Sequence, residues 1–70
     1  MIVKEYLEGG RYVTEYRKGQ KTLSVTEINK NRYWKIKLIE KNQDDQFNIT
    51  KKYFEDKERL SDYITEVMNG

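Results

Sequence analysis

RYWKIKLIEK, residues 32–41, decides the reading of this chain, because its alternate positions carry two different chemistries. Trp34, Ile36 and Leu38 form an apolar row, and Tyr33, Lys35 and Lys37 fall between them. Successive side chains of a strand point to opposite faces. The segment therefore predicts a sheet with one buried side and one aromatic-basic side.

Downstream lies the polar turn Asn42-Gln43-Asp44-Asp45, then a brief last strand marked by Phe47 and Ile49, with Gln46 and Asn48 facing away. From there the apolar period changes from 2 to 3.6. Tyr53, Leu60, Ile64, Val67 and Met68 fall in one stripe flanked by Phe54 and Tyr63, which predicts an amphipathic helix starting between Lys51 and Asp56. Thr50 is placed to cap it, since its hydroxyl can accept from a free amide of the first turn. Glu55 and Asp56 suit the positive end of the helix dipole, and Asn69-Gly70 supplies terminating residues.

Upstream, Asn29-Lys30-Asn31 reads as a turn, because Asn accepts left-handed backbone conformations. Residues 21–28 place Leu23 and Val25 on one face and Thr22, Ser24 and Thr26 on the other. Lys18-Gly19-Gln20 forms the preceding turn. Residues 11–17 alternate Tyr12, Thr14 and Tyr16 with Val13 and Glu15. Gly9-Gly10 supplies a hairpin tolerant of positive φ, and residues 2–7 form a short first strand.

Short turns between successive strands imply an antiparallel meander. Its inward row (Val13, Leu23, Val25, Trp34, Ile36, Leu38, Phe47, Ile49) needs a cover, and the helical stripe is the cover at hand. The expected fold is α+β: a meander of four to five strands with one C-terminal helix across one face, forming a single domain over residues 1–70. Glu15 shares the inward parity of Val13, and Glu27 that of Val25. They emerge at the core rim, or a bulge flips the parity.

A domain of 70 residues buries only about 60% of its unfolded surface. With no Cys there is no disulfide or thiolate metal site to reinforce it, and a second copy or a partner is a natural supplement. Charge is nearly balanced overall at +2, yet residues 1–41 carry ten Lys/Arg and five Glu, while residues 42–70 carry four Lys/Arg and seven Asp/Glu. A polyanion is therefore expected to meet the sheet and not the helix. No hydrophobic run is long enough to span a bilayer, and no signal peptide is evident. The expected location is the cytoplasm of a bacterial or phage-infected cell. Ala, Pro, His and Cys are absent, and Lys, Asn, Ile, Tyr and Phe supply 29 of the 70 residues. That bias follows an AT-rich genome, most simply that of a low-GC Gram-positive bacterium or of a phage or mobile element living in one. Asn48-Ile49-Thr50 matches a glycosylation acceptor only by chance in such a setting.

Without His or Cys, the common acid-base group and the usual nucleophile dyads are missing. The carboxylate pairs Asp44-Asp45 and Glu55-Asp56 read as solvated residues of a turn and a helix start, with no complete oxygen-ligand loop around them. The expectation is a non-enzyme with no cofactor and no metal. The open sheet face is the candidate site. Tyr12, Tyr16, Tyr33, Lys35 and Lys37 would share it above a floor of Thr22, Ser24 and Thr26, with Arg11, Arg17, Lys18 and Lys21 extending the positive surface. Aromatic rings on an open sheet stack unpaired bases while Lys and Arg track phosphates, which points to single-stranded DNA or RNA. Tyr, Thr and Lys also suit a merely solvated strand face, where Lys discourages edge aggregation. The alternative is a protein-interaction or inhibitor protein of a phage or mobile element, of the anti-CRISPR or anti-restriction kind. It would present Asp44, Asp45, Glu55, Asp56, Glu58 and Asp62 as a phosphate mimic to a host complex.

RYVTEYRKGQKTLSVTEI at residues 11–28, followed by FNITKKYF at 47–54 and a helix, resembles in outline the transcriptional coactivator family that binds melted DNA through its sheet. The resemblance lies in topology and a few residue types, and implies no residue roles. An extra N-terminal strand and a different spacing before Phe47 set this chain apart.

Overall fold

The computed structural model describes residues 2–30 and 32–69. Five strands, β1 (Ile2–Glu8), β2 (Arg11–Lys18), β3 (Lys21–Asn29), β4 (Tyr33–Lys41) and β5 (Phe47–Phe54), precede one helix, α1 (Lys57–Asn69). The strands form one antiparallel sheet in the order β1-β2-β3-β4-β5. The helix packs across one face, giving the expected two-layer α+β fold. The first strand lies at the sheet edge beside β2, and β5 forms the other edge.

The turns explain the meander. Gly9 (φ 59°) and Gly10 (φ 78°) give the two positive φ angles of a two-residue hairpin, so Glu8 faces Arg11. Gly19 (φ 57°) opens a second two-residue turn and sets Lys18 opposite Lys21. Asn42 organises the longer β4–β5 connection. Its Oδ1 accepts from the amides of Asp44 and Gln46 at 3.0 Å each, and Asp45 takes φ 62°. Arg32 N–H donates to the Asn29 carbonyl at 2.9 Å in the β3–β4 turn, whose Asn31 lies outside the described residues.

The core is the apolar row of β3 and β4 under the helix. Leu23, Val25, Trp34, Ile36 and Leu38 join Leu60 and Met68, with Tyr16, Phe54, Tyr63, Ile64 and Val67 packed around them. Each fully buried aliphatic side chain contributes about 1.5–3 kcal/mol. Leu60, Tyr63, Ile64, Val67 and Met68 fall at i, i+3, i+4, i+7 and i+8, one continuous stripe. The helix starts later than the pattern suggests, and its cap is Asp56, not Thr50. The Asp56 carboxylate accepts from Glu58 N–H at 2.9 Å, and its carbonyl accepts from Leu60 N–H at 3.0 Å. Thr50 instead sits in mid-strand, because β5 extends to Phe54. The last turn of α1 contains no basic residue; β3 supplies one, with Lys21 Nζ donating to the Val67 carbonyl at 3.4 Å.

Several side-chain placements differ from the expectation, and strand pairing gives the reason. Directly opposed residues of an antiparallel pair share a face. The two-residue turn at Gly19-Gln20 sets Tyr16 opposite Leu23 and Thr14 opposite Val25. Tyr12, Tyr16 and Lys18 therefore lie on the helix side with Lys21, and Val13, Glu15 and Arg17 lie on the open side. Val13 is still buried, at 4% exposure, but outside the core cluster. In β5, Phe47 faces Lys41 and Ile49 faces Ile39. Both belong to the open face and are exposed, while Thr50, Lys52 and Phe54 turn toward the helix side. Tyr53 is a β5 residue opposite Lys35, not part of the helical stripe. Glu15 thus has no place in the core to explain. Glu27, opposite Trp34, precedes a register shift that leaves Ile28 as a bulge in β3. A second shift lies between Ile2 and Lys4. Bulges bend a strand and add local twist.

Candidate functional site

The pairing lays out the open face as rows running across the sheet. One row is Tyr6, Val13, Thr26, Lys35 and Tyr53; the next is Lys4, Glu15, Ser24, Lys37 and Lys51. A third runs Arg17, Thr22, Ile39 and Ile49. At spacings of about 4.8 Å between strands, each five-strand row spans roughly 19 Å.

Two regions stand out. On β4 and β5, the Tyr33 and Tyr53 rings stack with centroids 5.5 Å apart and planes 13° apart. Tyr53 is 55% exposed, and Ile49 and Phe47 add exposed apolar surface farther along the same strand. Lys51 stands between Tyr53 and Ile49 on that face, directly opposite Lys37. Among the described residues no carboxylate pairs with Lys35, Lys37 or Lys51; the ion pairs present are Arg17–Glu15 at 3.0 Å and Lys41–Asp45 at 3.3 Å. Like charges directly opposed across strands destabilise a sheet unless an anion joins them.

The second region is a hollow of about 330 Å³ over β1 to β4, lined by Tyr6, Glu8, Arg11, Val13, Ser24, Thr26, Ile28, Lys35 and Lys37. Lys4 Nζ lies 5.0 Å from the Tyr6 ring centroid on the β1 side. Among the described residues the cations of the open face are Lys4, Arg11, Arg17, Lys35, Lys37, Lys41 and Lys51, against the carboxylates of Glu8 and Glu15. The face is therefore strongly basic, and it carries the rings of Tyr6, Tyr33, Phe47 and Tyr53.

Of the residues singled out in the sequence, Tyr33, Lys35, Lys37, Arg11 and Arg17 come together on this face with Thr22, Ser24 and Thr26. Tyr12, Tyr16, Lys18 and Lys21 do not. Tyr6, Tyr53, Phe47, Lys4 and Lys51 take their place, and the sequence reading missed them. For Tyr6 the signal was present: a two-residue turn at Gly9-Gly10 fixes Tyr6 opposite Val13. The acidic residues divide. Asp44 and Asp45 lie in the β4–β5 turn, whereas Glu55, Asp56, Glu58 and Asp62 gather at the other end of β5 and on the start of α1. Eight strand residues, about 26 Å, separate the two groups.

The perturbed phenols lie away from the open face. Burial, and then the Glu5 carboxylate, raises the Tyr16 pKa; burial, then Glu40 and Glu66, raises that of Tyr63. Among the described residues no helix is long and apolar enough to cross a membrane. No family model matches this sequence, and neither a curated protein nor a solved structure matches it.

Proposed function

We propose that this protein binds single-stranded nucleic acid on the open face of its sheet, in the cytoplasm of a bacterial cell. The observation that carries the reading is the Tyr33–Tyr53 stack beside Lys35, Lys37 and Lys51, three cations without a carboxylate partner. Exposed rings offer π-faces to unpaired bases, and the lysine line offers charge to the phosphates between them. Under this reading the contacts are Tyr6, Tyr33, Phe47 and Tyr53 with Lys35, Lys37, Lys51, Arg11 and Arg17.

The test is fluorescence anisotropy with labelled single-stranded DNA and RNA decamers across a salt series. Affinity falls as salt rises. Tyr53→Ala weakens binding by about 1–3 kcal/mol, roughly 5- to 150-fold, whereas Tyr12→Ala, on the other face, leaves it unchanged. Absence of binding at low salt overturns the proposal.

A second reading is a phage- or mobile-element-encoded inhibitor that engages a host protein complex. One observation favours it: Ile2, Leu7 and Tyr12 are exposed on the helix side of β1 and β2, beyond the cover of α1. The dispersed acidic residues lend it less support than a single acidic surface would. Under this reading Tyr12→Ala abolishes retention of a host protein, and the Lys37 and Lys51 variants do not.

A further inference from the structure

The hollow over β1 to β4 has a chemistry of its own, distinct from the stacking line on β4 and β5. Its floor is Val13 with Thr26, an apolar side chain next to a hydroxyl. Tyr6 stands on the β1 side, and Lys35 and Lys37 stand on the β4 side, three strand spacings or about 14 Å away. Arg11 closes one end next to Glu8, and the two are not ion-paired. A ring fits against Tyr6, above the buried Val13; an anion fits between Arg11 and the two lysines. The volume of about 330 Å³ is at the lower end of small-ligand pockets, ~300–1,000 Å³. It suits one nucleotide unit and not several.

We infer that this hollow is a binding site for a single nucleotide, its base against Tyr6 and its phosphate held by Arg11, Lys35 and Lys37. The inference rests on the nucleic-acid reading of this face and adds a seat for one unit to it. That unit is either a free nucleotide or one nucleotide turned out of a bound strand. The Glu8 carboxylate adds an acceptor for a base amino group at the rim.

Amide NMR spectra of the protein titrated with adenosine 5′-monophosphate, adenosine, inorganic phosphate and a thymidine decamer distinguish the outcomes. The monophosphate shifts the Tyr6, Val13 and Thr26 amides saturably, about tenfold more tightly than adenosine or phosphate alone, because only it uses both ends of the hollow. Phosphate binding as tightly as the monophosphate overturns the inference in favour of a plain anion site. A decamer that moves Tyr33 and Tyr53 but leaves the hollow silent, with the monophosphate silent as well, overturns it while leaving strand binding intact. Monophosphate binding without decamer binding supports the hollow and refutes the strand-binding function. Tyr6→Leu and Arg11→Gln each lower monophosphate affinity about tenfold. Arg11 is exposed at the hairpin end, so its variant decides the matter even if Tyr6→Leu disturbs the fold.

Discussion

Replacing Lys51 by Glu separates binding from stability. Lys37 and Lys51 face each other across β4 and β5, and both side chains are exposed. With the ammonium groups taken about 6 Å apart in water, the repulsion is 332/(80 × 6), or ~0.7 kcal/mol. Screening at physiological salt, with a Debye length near 8 Å, roughly halves it. Charge reversal turns that repulsion into an equal attraction, so Lys51→Glu stabilises the protein by about 0.7 kcal/mol, within the range measured for cross-strand pairs. For a domain of this size that raises Tm by about 3–5 °C. In 1 M salt the Debye length falls to about 3 Å, and the gain shrinks to about 1 °C. The same substitution weakens single-strand binding and flattens the slope of log affinity against log salt by at least about 0.7, the share of one phosphate contact. Thermal melts at low and high salt, run alongside anisotropy titrations, read both effects. A melting temperature that drops at low salt refutes the opposed-lysine geometry. An unchanged salt slope refutes the role of Lys51 at the phosphates.

Three further outcomes follow from the fold. Ile36 is fully buried at the centre of the core, so Ile36→Val costs about 0.5–1.5 kcal/mol and Ile36→Ala about 2–5 kcal/mol in urea denaturation, the latter a large share of the stability of so small a domain. At Gly9 a Cβ would meet nothing within 4 Å, so Gly9→Ala loses only the conformational cost of positive φ, about 1–2 kcal/mol, and Gly9→Asn recovers part of it. The raised Tyr16 and Tyr63 phenols favour the neutral form in the folded state. The unfolded chain ionises first, so their contribution is fully present below the ordinary tyrosine pKa and is lost as pH rises through the folded values. Stability measured by urea titration therefore falls above about pH 10, and Tyr16→Phe makes that fall shallower.

Much of the architecture was legible because it rests on local signals. The alternation in residues 32–41, the glycines at two hairpins and the change of period before Leu60 identify the meander and the helix. Which face a β2 residue occupies was harder to read. Both of its rows mix aromatic or aliphatic with polar side chains, so hydrophobicity alone does not choose between Tyr12, Thr14, Tyr16 and Val13, Glu15, Arg17. Turn length chooses, and the difference between a two-residue and a three-residue turn moves every side chain of the strand to the other face. Thr50 was misleading as a cap because FNITKKYF offers both a strand alternation and a start for the helical stripe. Pairing with β4 over its full length resolves it as strand. Glu27 in the inward row of β3 signals an irregularity near that strand end, but only the pairing with β4 places the bulge at Ile28.

An antiparallel sheet under one helix, the core row Trp34–Ile36–Leu38 and the aromatic-basic row Tyr33–Lys35–Lys37 each depend on period along one segment, and so are written in the residues. Their company on each face is not. Cross-strand register brought Tyr6, Tyr53 and Lys51 to the open face, took Tyr12 and Tyr16 away from it, and set Tyr6, Thr26 and Lys35 around one hollow. Register is a relation between segments distant in sequence, set by turn geometry and by which rows the helix covers, so no single strand encodes it.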